Sequence, residues 1–164
     1  MLVARHMLVV GLLLSGCASS SVMDLDRNTI EISTSAAPAC GAQGAQQVAV
    51  KNAAIETLRR GYDRYIILGG QAENNVGVVG RTPVIANTYQ NGTINAYGNT
   101  ATYNGTANTY YSGGQPIIGG THDQKIAVRM FRTDDPQGVN AVDARQVLGP
   151  DWQKAVKKGP GLTC

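Results

Sequence analysis

Residues 42–60, AQGAQQVAVKNAAIETLRR, run into Gly61-Tyr62-Asp63-Arg64 and then Tyr65-Ile66-Ile67-Leu68, and this stretch decides the fold. Val48, Ile55 and Leu58 recur at helical spacing, with Ala45 and Ala49 beside them, so the run reads as a helix with one apolar face. Arg59 and Arg60 place positive charge in the last turn, where the helix dipole favours it. Gly61 suits the left-handed residue that follows a helix end. The apolar run Tyr65–Leu68 then reads as a buried strand, stopped by Gly69-Gly70.

Working outward, Thr29-Ile30-Glu31-Ile32-Ser33-Thr34 alternates apolar and polar residues, the period of a half-buried strand. Far downstream, Lys125–Arg132 alternates as well. Ile126, Val128 and Met130 point one way. Lys125, Ala127, Arg129 and Phe131 point the other. Asp134-Asp135-Pro136 ends that strand as a turn. Ala141–Leu148 reads as a short helix, and Gly149-Pro150-Asp151 opens another, which Trp152 and Val156 pack down. Two short strands fit at Val76–Val79 and Pro83–Ala86. The expected class is α+β: a small sheet with one long helix packed on a face, a polar insertion rich in Asn, Thr, Tyr and Gly, and short C-terminal helices.

The insertion, at about residues 82–122, holds no Asp, Glu, Lys or Arg between Arg81 and Asp123, and five of the seven tyrosines fall in it. It also echoes itself. Ala86-Asn87-Thr88-Tyr89 recurs as Ala107-Asn108-Thr109-Tyr110, and Asn91-Gly92-Thr93 as Asn104-Gly105-Thr106. Each Asn-Gly pair is a hairpin-turn signal. A flexible insertion is the leading expectation. Small hairpins, or a surface whose tyrosine rings stack on a glycan or partner, are the alternatives.

The 164-residue chain has a net charge of +3 with Lys and Arg scattered. No basic cluster interleaves with aromatics, so the sequence carries no nucleic-acid footprint. Catalytic motifs are equally sparse. His122 beside Asp123 could orient a base, but no nucleophile motif accompanies the pair, and a loop histidine opening a strand is the simpler reading. One such His and distant cysteines do not give zinc spacing, and no phosphate-loop pattern occurs. The expectation is a non-enzyme without cofactor or metal.

The first residues carry the clearest address. Arg5 and His6 precede Met7–Leu14, a run without a polar side chain that is too short to span a bilayer. Small residues follow, then Cys17, which together make a secretory signal. Leu14-Ser15-Gly16-Cys17 resembles the lipobox of bacterial lipoproteins processed by signal peptidase II. That resemblance implies removal of residues 1–16, lipid (palmitate among its acyl chains) on Cys17, and a tether over 17–27 ahead of a single domain at 28–164. Ala18, rather than Asp, after the cysteine implies an outer-membrane destination, on its periplasmic or surface face. The implied partners are the membrane, the lipoprotein processing and sorting machinery, and peptidoglycan or another envelope protein. In an oxidising compartment the two remaining cysteines, Cys40 and Cys164, are disulfide candidates. Their bridge would close a long loop worth roughly 4–5 kcal/mol in the chain-entropy account; two free or intermolecular thiols are the alternative.

The order strand, helix, Gly-Tyr-Asp, strand over residues 28–68 also resembles small bacterial envelope lipoproteins of unassigned activity. A structural or interaction protein is therefore expected. An envelope-stress sensor with a disulfide-locked domain, or an adhesin or matrix component using the Tyr/Asn-rich tract, stays open.

Overall fold

The structure, a computed structural model, describes residues 18–161; residues 1–17 and 162–164, with Leu14, Ser15, Gly16, Cys17 and Cys164, lie outside the described residues. The described chain forms two compact units, Gly77–Gly119 and the residues on either side of it. The α+β class holds, although strand predominates.

The larger unit is a five-stranded sheet with a helix on one face. Its strands are β1 (Ala18–Asp26), β2 (Thr29–Ala36), β3 (Arg64–Asn74), β8 (His122–Phe131) and β9 (Val142–Asp143), in the order β1-β2-β8-β3-β9. Helix α1 (Gly41–Arg59) joins β2 to β3, and short helices α2 (Ala144–Leu148) and α3 (Trp152–Lys158) follow β9. Every sheet pairing is antiparallel.

The core lies between α1 and the sheet. Ala49, Ala53, Ala54 and Tyr65 pack with Ile30, Ile32, Ile126, Val128 and Met130. Alanines on the helix bring its backbone close to the sheet, and the bulk comes from the strands. The Tyr65 hydroxyl donates to the Val50 carbonyl at 3.5 Å. Two of the buried polar side chains find partners, one across the chain and one within α1. Asn52 Nδ2 donates to Ser20 Oγ at 2.8 Å, and Thr57 Oγ1 donates to the Ala53 carbonyl at 2.7 Å. Both bonds matter because an unpaired buried amide or hydroxyl costs about 1–3 kcal/mol.

Gly61 ends α1 with φ +79°, and a Cβ there would meet open space, so its conformation rather than crowding demands glycine. Tyr62 N donates to the Thr57 carbonyl, closing the helix end with a bond that reaches back five residues. Arg60 bridges Glu56 on its own helix to Asp24 on β1, the latter at 2.8 Å.

Several expectations are corrected. Residues 18–26 are not a tether; they are β1, with Ala18 buried at 3% exposure beside Ala36, Ala45 and Val48. Ser20 and Val22 share the inward face, and the intervening serines face outward. Gly69-Gly70 does not stop β3, which runs on to Asn74 with a bulge between Ile67 and Gly69. A Cβ on Gly70 would stand 3.0 Å from the Lys125 carbonyl oxygen, so the glycine permits the close approach of the strands there. Phe131 points away from α1 yet is buried, because Gly138 of the 3-10 helix Pro136–Gly138 lies against it. The helix expected over 141–148 begins with β9 and only then becomes α2, capped by the Asp143 carboxylate.

Because α1 and the sheet meet through alanine, the seam has no room for bulk. Ala53→Leu should lower stability by about 1–3 kcal/mol in urea denaturation, the range for overpacking a tight core.

Candidate functional site

The second unit, Gly77–Gly119, is a ribbon of paired strands. In it β4 (Gly77–Arg81) pairs with β7 (Pro116–Gly119), and β5 (Ile85–Tyr97) pairs with β6 (Thr100–Ser112). The flexible insertion expected at 82–122 is therefore an ordered hairpin, and the strand expected at Pro83–Ala86 is the start of a longer one.

The sequence echo has a structural meaning. Its two copies are the two strands of one hairpin, facing each other. Asn87 pairs with Tyr110, Thr88 with Thr109, Tyr89 with Asn108, and Gly92 with Gly105. The Asn-Gly pairs are not turns; they sit opposite each other in mid-strand. The turn is Gly98-Asn99, with Gly98 at φ +60°, between the partners Tyr97 and Thr100. Asn-Gly is a strong turn signal only where flanking residues cannot pair better elsewhere.

Alternation gives the hairpin two different faces. One carries Tyr89, Tyr97 and Tyr110 among Asn87, Asn91, Asn95, Asn104 and Asn108. On it the Tyr89 and Tyr110 rings meet edge to face with centroids 6.1 Å apart. The other carries Thr88 and Thr109, whose hydroxyls bond at 2.9 Å. It also carries Tyr103, whose ring covers the glycine pair. A Cβ on Gly92 would fall 2.6 Å from that ring. All residues of β5 and β6 are exposed, Tyr97 to 84%.

In the larger unit His122 and Asp123 are consecutive residues of β8. Neighbours in a strand point to opposite faces. The Asp123 carboxylate accepts from Ser35 Oγ at 2.5 Å, Asn75 Nδ2 at 2.7 Å and Thr121 Oγ1 at 3.1 Å. It therefore ties β2 to the end of the β3–β8 pair. The Ser35 hydroxyl first, then Asn75, hold this carboxyl below the ordinary carboxylate range. His122 Nδ1 is buried with no hydrogen-bond partner among the described residues.

Gly-Tyr-Asp has a structural role. Burial alone would raise the Asp63 carboxyl, but Thr133 N at 3.0 Å and Arg145 Nη2 at 2.8 Å outweigh it and hold it low. Tyr62 Oη donates to the Arg27 carbonyl at 3.1 Å. Arg145 also lies over Trp152, 5.3 Å from the ring centroid, so one arginine links the motif to α3. Asp134 and Asp135 line a shallow cleft with Tyr62, Met130 and Arg132, and Asp135 caps the 3-10 helix through Gln137 N.

Cys40 ends a 3-10 helix just before α1 and is disulfide-bonded; Cys17 and Cys164 both lie outside the described residues. Among the described residues, no group of three or more His, Cys, Asp or Glu could hold a metal, and no helix is long and apolar enough to cross a membrane. No protein-family model, curated protein or solved structure matches the chain.

The arrangement at Asp123 gives a pH dependence with a definite sign. A carboxyl held low in the fold stabilises above its ordinary value of 3.8 and loses that contribution as pH falls through its lower folded value. Thermal melts should find Asp123→Asn less stable than the parent at neutral pH. The difference should shrink in acid below that range. An undiminished gap there would contradict this role.

Proposed function

We propose that this chain is a bacterial envelope lipoprotein, held to the outer membrane by lipid on Cys17, that acts by binding rather than by catalysis. The observation that carries the reading is Leu14-Ser15-Gly16-Cys17 behind the apolar run Met7–Leu14, with strand β1, Ala18–Asp26, on its C-terminal side. Cleavage before Cys17 would leave every described residue of the sheet in place.

Two consequences follow. With Ala18 already in β1, no spacer separates the lipid from the sheet, so the domain would sit directly at the bilayer surface. And a sulfur carrying a thioether-linked lipid cannot join a disulfide. With Cys17 lipidated, Cys40 would be left to pair with Cys164, tying residue 164 to the start of α1.

The binding reading is supported by the ribbon, whose exposed, uncharged strands of Tyr, Asn and Thr serve no core. That favours an adhesin or matrix role over a stress sensor. The carboxylates that hydrogen-bond most fully, Asp63 and Asp123, are occupied in holding strands and helices together.

Cells grown with labelled palmitate should incorporate it into the wild-type protein and lose it in Cys17→Ala. Label persisting in the variant, or absent from the wild type, would refute the lipoprotein reading.

A further inference from the structure

We propose that the ribbon is a self-association element: the open edge of β5 or β6 pairs, antiparallel, with the same edge of a second copy of this chain. The proposal rests on reading the ribbon as an interaction surface and names its partner.

The first argument is what the ribbon lacks. A two-stranded sheet has two open edges, and proteins usually blunt such edges with lysine, proline, bulges or a covering element. Here β5 and β6 are each 13 residues long, carry no charge and no proline, and pair without a register shift. An isolated two-stranded hairpin is marginal in water. Yet this one leaves Ile85, Ile94, Tyr97 and Tyr111 mostly exposed, so added strands would cover apolar surface that its own fold does not.

The second argument is geometric. A two-residue turn closes on a hydrogen-bonded pair, here Tyr97 and Thr100, and bonded and non-bonded pairs alternate from there. Thr88, Gln90, Gly92 and Ile94 on β5, and Tyr103, Gly105, Ala107 and Thr109 on β6, therefore aim their backbone N–H and C=O outward. Full overlap of one edge with its copy would make about a dozen main-chain hydrogen bonds, comparable to the roughly ten of an ordinary interface.

The third argument is sequence complementarity. Each strand already pairs antiparallel with a near-copy of itself, since the echoed segments are partners in the hairpin. In full overlap of β5 with its copy, centred on Asn91, Asn87 meets Asn95, Tyr89 meets Thr93 and Ile85 meets Tyr97, with no like charges to oppose the pairing. A two-fold axis would place the same edge on both sides.

The test uses two differently tagged full-length copies, co-expressed and extracted in mild detergent. Wild-type copies should co-purify. Gln90→Pro with Ala107→Pro removes one outward donor from each edge and spares the bonds within the hairpin. Co-purification should then fall about ten-fold or more. Gln90→Lys with Ala107→Glu is the second variant. It sets opposite charges across the hairpin, which its own fold tolerates, but like charge against like at either two-fold edge; it should lose pairing too. Near-UV circular dichroism of the tyrosines should stay unchanged in the charged variant. All variants keep Cys17, so loss of pairing is separable from loss of lipid. Wild-type copies that do not co-purify, or charged variants that pair as well as the parent, would overturn the proposal.

Discussion

The alanine face of α1 against the sheet is the contact on which the rest of the larger unit depends. Ala49, Ala53 and Ala54 are fully buried, and the strands opposite supply the volume through Ile30, Ile32, Val128 and Met130. Such a seam holds the helix near the sheet, with Leu58 the larger side chain that the helix packs against it. It also fixes where the ends of α1 fall. At one end, Gly61-Tyr62-Asp63 turns the chain into β3 and gathers Arg27, Thr133 and Arg145 around it. At the other lies the disulfide-bonded Cys40, beside the cluster that buries Ala18.

The ribbon obeys a different logic. It has no core, and its order comes from backbone pairing, from Tyr103 lying over two facing glycines, and from tyrosine and threonine contacts across the strands. Threonines, tyrosines and amides make a strand pair whose edges remain chemically open. A surface of that kind has meaning chiefly toward another molecule.

How much of this the sequence made legible depended on how local the cause was. Helix α1, its glycine stop and the alternation of β8 are written in neighbouring residues, and they emerge as expected. The strand β1 was hidden because its inward positions are Ala18, Ser20 and Val22, too polar to read as a core strand; Ser20 belongs inside only because Asn52, 32 residues later, bonds to it. Gly69-Gly70 looked like a stop because the close approach to β8 that tolerates glycine is set by Lys125, far along the chain. The hairpin misled for the opposite reason. Two good turn signals were present, and each preferred to face the other, leaving Gly98-Asn99 to make the turn. Among site residues, the expectation at Cys17 was legible because the four residues that carry it, Leu14-Ser15-Gly16-Cys17, are contiguous. The task of Asp123 was not, since Ser35 is 88 residues away and Asn75 is 48.

The central claim is that one cysteine carries lipid and the other two are joined. Intact and peptide mass spectrometry of the protein from its native membrane reads both at once. The account predicts a chain beginning at Cys17 with acyl mass on that residue, and a peptide in which Cys40 is linked to Cys164. A disulfide between Cys17 and Cys40, with no lipid on Cys17, would contradict it.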